Sequence, residues 1–164
     1  MISIVIRTLN EEKYLPECLK AIKSQIFDDE IEIILVDSGS TDKTVEIALR
    51  EGIKIVRIAK EEFSFGRSLN LGSANSQGDI FVYLSAHCIP IGKSWLRNLV
   101  QPITTHTAQY TYGRQLPRDE VSKFSEGRVF NKYYPLKSKI PQKGFFCNNA
   151  NSAIARSFWE QNRF

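Results

Sequence analysis

The segment IEIILVDSGSTD, residues 31–42, decides the fold, because a continuous apolar strand ends here in an acidic, glycine-containing turn. The segments ISIVIRTLNEE (2–12) and DIFVYLSAH (79–87) repeat this arrangement of an apolar strand with a polar ending. Apolar residues at helical spacing separate the strands along the chain. Because strands that alternate with helices are typical of βαβ units, the sequence predicts an α/β fold whose mostly parallel sheet is flanked by helices.

The same patterns place the remaining elements. We expect Asn10 to cap a first helix, Thr41 or Asp42 to cap a second, and Gly52 to close the second in the left-handed conformation. A third strand is predicted at 53–58 and a short helix at about 66–75. After Pro90 we expect a helix at 93–103, a strand at 109–116, a helix at 119–134, and a strand that runs into a helix within 145–160.

The composition excludes several classes of protein. The chain has 164 residues, of which 42% are hydrophobic and 24% charged, as in an ordinary soluble globular protein. Its apolar runs are far shorter than the roughly 20 residues of a membrane span. The N-terminal residues lack a basic region and read directly as a strand, so no signal peptide is expected.

Cysteine content and net charge indicate the setting and the partners. The three cysteines form no C-x-x-C pair, which argues against a disulfide framework or a zinc site and favours a reduced, cytoplasmic location. The net charge of +4 favours anionic partners such as phosphates or an acidic membrane surface. No nucleic-acid partner is expected, because no basic stripe is interleaved with aromatic residues.

Polar side chains collect at the predicted ends of three strands. Thr8 and Asn10 follow the first strand, Asp37 ends the second, and Ser85 and His87 end the fourth. Ligands of open α/β sheets bind outside the carboxyl ends of the strands, where the strand order reverses. The sequence therefore predicts a ligand site at this edge. The chain contains neither G-x-G-x-x-G nor a P-loop, so these residues stand in place of the usual nucleotide motifs.

Two of these motifs together carry a family resemblance. Thr8, Asn10 and Glu11, followed by the run from Val36 to Asp42, resemble the motifs of the family-two glycosyltransferases. The resemblance implies a GT-A nucleotide-diphospho-sugar transferase fold. It also implies transfer of a sugar from a nucleoside-diphosphate donor to a glycan or lipid-linked acceptor, with inversion at the anomeric carbon. A reaction of this kind would belong to polysaccharide biosynthesis. Such an enzyme is expected in the cytoplasm, and peripheral contact with the inner face of the membrane stays open.

The resemblance also implies roles for single residues. Thr8 and Glu11 would line the base and ribose, Asp37 would accept a hydrogen bond from the base edge, and Arg67 would approach the diphosphate. The expected site residues form two sets. The residues expected to bind the nucleotide sugar are Thr8, Asn10, Glu11, Asp37, Ser38, Arg67, Asn70, Ser85 and His87. The residues expected in the sugar and acceptor pocket are Asn148, Asn149 and Asn151.

The chain departs from the family pattern at the end of the fourth strand. Where the family usually carries Asp-x-Asp to hold a divalent metal, this chain has Ser85-Ala86-His87. Mg²⁺ prefers oxygen ligands, whereas Mn²⁺ accepts an imidazole nitrogen more readily. Three accounts remain open: His87 holds Mn²⁺, His87 and Arg67 neutralise the phosphates without metal, or the chain is an inactive nucleotide-sugar-binding protein.

A second departure concerns the catalytic base. The family usually supplies this base from an acidic motif beyond the point where this sequence stops. The late acids Asp119, Glu120 and Glu126 are typical of a helix start, so no catalytic residue is assigned. We expect residues 1–164 to form one domain, with a nucleotide-binding half at 1–90 and an acceptor-side half at 91–164 that is incomplete.

Overall fold

The computed structural model describes residues 1–118, 122, 124–134, 136–142 and 146–164. Six strands and six α-helices follow one another along these residues. They are β1 (Ile2–Thr8), α1 (Leu15–Lys23), β2 (Ile31–Asp37), α2 (Thr44–Arg50), β3 (Lys54–Arg57), α3 (Phe65–Ala74), β4 (Ile80–Ser85), α4 (Trp95–Thr104), β5 (Tyr110–Tyr112), α5 (Phe124–Tyr133), β6 (Asn151–Ala155) and α6 (Arg156–Gln161).

All six strands belong to one sheet in the order β3-β2-β1-β4-β6-β5. The first four strands of this order are parallel, whereas β6 runs antiparallel to β4 and β5 antiparallel to β6. The chain moves outward from β1 to β2 and β3, and then crosses to the other side of β1 to form β4. In open α/β sheets, such a reversal creates a crevice at the carboxyl ends of the parallel strands. The parallel pairing of four strands confirms the predicted mostly parallel sheet.

Each face of the sheet buries its own apolar cluster. Strands β1, β2 and β4 are buried on both faces and therefore read as continuous apolar runs. One face packs against α1 and α4, through residues that include Ile4, Ile6, Leu35, Leu15, Leu19, Leu96 and Val100. The opposite face packs against α3 and α6, through Val5, Val36, Phe81, Tyr83, Leu69 and Trp159.

Gly72 allows α3 to lie very close to this second face. A Cβ atom at Gly72 would stand 2.3 Å from Cγ1 of Val5 and 2.9 Å from Cγ2 of Val36. Real carbon atoms do not approach so closely, so only glycine permits this spacing. The position of α3 in turn places Phe65 against the guanidinium of Arg7 near the end of β1.

Several predicted boundaries need correction. The first helix begins at Leu15, and Asn10 is not its cap. Asn10 has a φ of +54°, a left-handed conformation that asparagine tolerates, and its side chain bonds to the neighbouring loop instead. The fifth strand is limited to Tyr110–Tyr112, and the following helix is described only from Phe124. Gly52, with a φ of +70°, closes α2 as predicted.

Across the described ranges, each helix is too short or too polar to cross a lipid bilayer.

Candidate functional site

Thr8 and Asp37 form the centre of the carboxyl edge. They are register partners at the ends of β1 and β2, and both are buried, with 5% and 3% of their surface exposed. The backbone N–H and the hydroxyl of Ser38 both donate to the carbonyl of Thr8, at 3.1 and 3.0 Å. The Oγ1 atom of Thr8 is buried and has no hydrogen-bond partner among the described residues. Because buried polar atoms are normally paired, this hydroxyl is a candidate contact for a ligand.

The carboxylate of Asp37 is held by the turn that follows it. The backbone N–H groups of Gly39 and Ser40 donate to this carboxylate at 3.2 Å, and Gly39 makes the turn possible with a φ of +96°. These bonds fix the carboxylate and lower the cost of burying its charge. A carboxylate has about four lone-pair positions, so Asp37 can still accept a hydrogen bond from a ligand.

The loops after β1 and β2 are bonded to each other. Asn10 Oδ1 accepts the backbone N–H of Thr41 at 2.8 Å, and the backbone N–H of Asn10 donates to Ser40 Oγ at 2.9 Å. The backbone N–H of Glu11 donates to Thr44 Oγ1 at 2.7 Å. The two loops therefore form one preorganised wall of the crevice.

Glu11 and His87 connect this wall to the end of β4. The Nδ1 atom of His87 lies 2.8 Å from Oε1 of Glu11. The Glu11 side chain is 17% exposed, whereas that of His87 is 58% exposed. A hydrogen on Nδ1 that is donated to Glu11 leaves Nε2 as the ring nitrogen that can contact a ligand.

Arg7 also lies at this edge, although the sequence patterns assigned it no role. Its Nη2 atom donates to Ser85 Oγ and to the Asn149 carbonyl, each at 3.4 Å, and its guanidinium lies 5.0 Å from the ring centre of Phe65. Its Nε atom is buried without a hydrogen-bond partner in the described chain. Burial lowers the pKa of Arg7. The signal in the sequence was an arginine at the end of the otherwise apolar strand ISIVIR.

Arg67 and Asn70 on α3 bond to groups outside this cluster. The guanidinium of Arg67 is exposed and pairs with Glu62 at 3.1 Å. The side chain of Asn70 accepts from the indole N–H of Trp159 at 2.9 Å and donates to the Phe164 carbonyl at 2.6 Å. Asn70 thus ties α3 to the segment that follows β6. The nucleotide roles of both residues stay predictions.

The three asparagines before and within β6 have structural partners. Asn148 Oδ1 accepts from the side-chain amide of Gln115 and from the backbone N–H of Ala150. Asn149 Oδ1 accepts from the Tyr110 hydroxyl, and Asn151 Oδ1 accepts from the Trp95 indole. Of the three, Asn151 lines a cavity of about 1450 Å³, whose lining also includes His87, Tyr112, Tyr134 and Phe146. The roles of the three asparagines in a sugar or acceptor pocket stay predictions.

The donor groups at the end of β4 do not fit a divalent metal held by the protein. In the described part of the chain, no group of three His, Cys, Asp or Glu side chains is arranged so that it could hold a metal ion. Glu11 and His87 bond to each other, and the hydroxyl of Ser85 faces the Arg7 cation, which would repel a metal at that position. One imidazole nitrogen is far from the oxygen-rich shell that Mg²⁺ requires.

No base or nucleophile can be assigned. Asp119 and Glu120 lie outside the described residues. Burial raises the pKa of Cys88 to about 11 and that of Cys18 to about 12, so neither thiol is ionised at neutral pH.

Known proteins are similar to this chain in sequence and in fold. The sequence profile of the family described as "Glycosyl transferase family 2" matches residues 3–161. The O-antigen chain rhamnosyltransferase RfbN of Salmonella typhimurium is 31% identical over 173 residues, which cover 98% of this chain and 54% of that protein. A dolichyl N-acetyl-alpha-D-glucosaminyl phosphate 3-beta-D-2,3-diacetamido-2,3-dideoxy-beta-D-glucuronosyltransferase of Methanococcus voltae is 32% identical over 139 residues, which cover 80% of this chain and 39% of that protein.

Two solved structures have the same fold. The mannosyltransferase PcManGT from Pyrobaculum calidifontis, in complex with GDP-Man and Mn²⁺, superposes with a TM-score of 0.74 at 22% identity, over 99% of this chain and 47% of that one. Glucosyl-3-phosphoglycerate synthase from Mycobacterium tuberculosis, in complex with UDP, superposes with a TM-score of 0.65 at 22% identity, over 96% of this chain and 57% of that one.

The chain spans about half the length of these relatives. The structural similarity confirms the expected GT-A fold. The profile match covers nearly all of the sequence, and the rhamnosyltransferase exceeds 30% identity over nearly the whole chain. The chain therefore belongs to glycosyl transferase family 2.

Proposed function

We propose that this chain carries the donor site of an enzyme that transfers a sugar from a nucleoside diphosphate to a glycan or lipid-linked acceptor. The observation that carries the proposal is the buried pair Thr8 and Asp37 at the carboxyl edge, with one hydroxyl unpaired and one carboxylate fixed by turn amides. Membership in a family of transferases supports an active enzyme over a nucleotide-sugar-binding protein without turnover.

The nucleoside would occupy the crevice beside the wall that the loops after β1 and β2 form together. Asp37 can accept a hydrogen bond from an N–H group of the base, and Thr8 Oγ1 offers a further polar contact at the same edge. Because Asn10 and Glu11 already bond to the second loop, binding would order little additional backbone. Low ordering cost supports this crevice as a preformed nucleotide site.

The diphosphate would lie toward the end of β4. As the acceptor hydroxyl attacks the anomeric carbon, the bond to the diphosphate oxygen breaks and the diphosphate leaves with the electron pair. Fixed hydrogen-bond donors near this oxygen stabilise the growing charge. His87, held by Glu11, is positioned to donate from its second nitrogen when the ring is protonated. The base that takes the acceptor's proton is not assigned.

The acceptor would enter from the side of α4, β5 and α5. The cavity on this side adjoins His87 and has aromatic walls that include Tyr112, Tyr134 and Phe146, which suit the apolar faces of sugars or a lipid chain. The rhamnosyltransferase relative is named for the O-antigen chain, which supports an acceptor in polysaccharide synthesis. Leu136 and Ile140 are exposed beside Lys137 and Lys139, which supports peripheral contact with a membrane. Membrane contact and a cytoplasmic location both stay predictions.

Thermal unfolding in the presence of nucleoside diphosphates tests the donor site. UDP, dTDP, GDP and ADP would each be added with EDTA, Mg²⁺ or Mn²⁺. A ligand at 100 times its dissociation constant adds about 2.7 kcal/mol of stability, which raises the midpoint by about 5–10 °C in a chain of this size.

We expect one of these diphosphates to raise the midpoint of the wild-type chain. Asp37→Asn should remove most of this rise, because it replaces one of the two acceptor oxygens by an NH₂ group and leaves the other to the backbone N–H groups of Gly39 and Ser40. Asp29→Ala should keep the rise in the midpoint, because Asp29 is exposed and precedes β2, at the opposite end of this strand from Asp37. A wild-type chain that no nucleotide stabilises would contradict the proposed function.

A further inference from the structure

We propose that Arg7 binds the diphosphate of the donor and supplies the positive charge that a divalent metal would otherwise provide. This inference rests on the proposed function, since it assigns a residue to the donor's phosphates.

The position of Arg7 places its charge at the right edge. Arg7 precedes Thr8 in β1 and is the register partner of Ser85, the last residue of β4. Its contacts to Ser85 Oγ and to the Asn149 carbonyl are both long, at 3.4 Å. Hydrogen bonds of this length are weak, so the guanidinium has capacity for a stronger acceptor. The ring of Phe65 covers one face and limits the directions from which an anion can approach.

The charge of Arg7 has no acidic partner in the described part of the chain. Five other arginines in that part have a carboxylate within 4.0 Å, namely Arg50, Arg67, Arg97, Arg118 and Arg156. Arg7 is partly buried, and its buried Nε–H has no acceptor among the described residues. Leaving a partly buried cation unpaired is unfavourable, and an anionic ligand would offset this cost on binding.

The chemistry of the guanidinium suits a diphosphate. Arginine presents a planar fork of donors that can bind two phosphate oxygens at once, and it keeps its charge at any physiological pH. A site built on Arg7 has no use for metal-binding carboxylates, which agrees with the neutral Ser85 beside it. The exposed Arg67 is a weaker candidate for binding the diphosphate, because it already forms an ion pair with Glu62.

A purely structural role is the competing explanation. Arg7 could simply tie β1 to β4 and to the segment before β6. The two roles differ in what the residue's loss does to ligands without phosphate. A structural residue would affect the whole site, whereas a phosphate-binding residue would affect only ligands that carry phosphates.

The test compares ligands that differ only in phosphate number. Calorimetry in EDTA would measure dissociation constants for uridine, UMP and UDP, and for guanosine, GMP and GDP. We expect the wild-type chain to bind the preferred diphosphate at least 10-fold tighter than its nucleoside. Arg7→Gln should weaken diphosphate binding by about 10- to 100-fold, the range for a hydrogen bond to a charged group, and leave nucleoside binding unchanged. The matched control Arg97→Gln removes an exposed arginine that pairs with Asp28 and should match the wild type.

Two further readouts guard against a variant that fails to fold. Arg7→Lys keeps the charge but loses the fork, and it should retain part of the diphosphate preference. In the wild-type chain, the Nε–H resonance of Arg7 should shift on addition of UDP or GDP and stay in place with the nucleoside.

Each contrary result has a distinct meaning. Equal weakening of nucleoside and diphosphate by Arg7→Gln would overturn the role of Arg7 and leave the proposed function standing. A diphosphate preference that appears only with Mn²⁺ would do the same. If the wild-type chain bound none of these ligands, and neither dTDP nor ADP, with or without divalent metal, the proposed function itself would fail, and this inference with it.

Discussion

The pair formed by Glu11 and His87 shows how a few residues set the character of the site. An imidazole held at 2.8 Å by a carboxylate has a fixed orientation, and its second nitrogen can donate to an anion when the ring is protonated. Two carboxylates at the same place would attract a cation instead. Arg7 adds a positive charge at the same end of β4. Single residue types thus decide whether this edge favours phosphate or metal.

Replacing His87 by aspartate should make the end of β4 attract a divalent metal ion. His87→Asp places a second carboxylate near Glu11, so we expect the variant to gain stabilisation by Mn²⁺ or Mg²⁺ that the wild type lacks. Thermal unfolding with and without EDTA measures the gain, and His87→Asn is the matched uncharged control. Equal responses of His87→Asp and His87→Asn to metal would contradict this electrostatic account.

Burial of the thiols predicts an order of reactivity. Burial raises the pKa of Cys18 to about 12, while Cys147 is exposed. In the native chain, Cys147 should therefore react with a thiol reagent at once and Cys18 only on unfolding, with Cys88 slow as well. Absorbance assays before and after denaturation count the modified thiols. Rapid modification of all three in the native chain would show that the packing around α1 is wrong.

At the scale of elements, short turns and close helix contacts hold the crevice in place. Glu32 at the start of β2 accepts hydrogen bonds from Ser3 of β1 and from the backbone N–H of Gly78, which precedes β4. It thereby joins the ends of three parallel strands opposite the site. Gly72 sets the distance of α3 from β1. Both contacts are remote from the proposed ligand, yet both position the strands that carry it.

The contacts of Glu32 predict a pH-dependent contribution to stability. Burial alone would raise the pKa of Glu32, but hydrogen bonds from Ser3, Gln77 and Gly78 outweigh it and hold the pKa below its ordinary value. Glu32 therefore stabilises the fold above the ordinary carboxyl pKa, and this stability is lost as the pH falls through the lowered value.

The expected difference in unfolding free energy between wild type and Glu32→Gln is greatest at neutral pH and shrinks below about pH 4. Urea titrations at several pH values measure it, with the exposed Glu30→Gln as control. A difference that stays constant down to pH 3 would mean that the carboxylate charge contributes nothing.

The close contact at Gly72 predicts a loss on adding one methyl group. Gly72→Ala should lower the unfolding free energy by about 1–3 kcal/mol, because Val5 and Val36 would have to move. The control Gly127→Ala lies in α5 with its nearest neighbour at 3.8 Å, and it should be neutral or gain up to about 1 kcal/mol. Urea denaturation compares them, and equal stabilities would refute the close packing of α3.

Over the whole molecule, the sequence predicted what regular patterns determine. Continuous apolar strands gave the parallel sheet, and the polar residues after them gave its carboxyl edge. The patterns did not predict the left-handed Asn10, because its partner Thr41 comes from another loop. They also missed Arg7, since only the folded chain shows that it lacks an acidic partner. The division into a nucleotide half at 1–90 and an acceptor half at 91–164 stays a prediction.

The most direct test of the donor site is a crystal structure of the chain with the nucleoside diphosphate that stabilises it most. The account predicts that the base lies in the crevice beside Thr8 and Asp37, and that the phosphates lie against the guanidinium of Arg7 near the end of β4. A nucleotide bound elsewhere, or one whose phosphates point away from β4, would contradict the account.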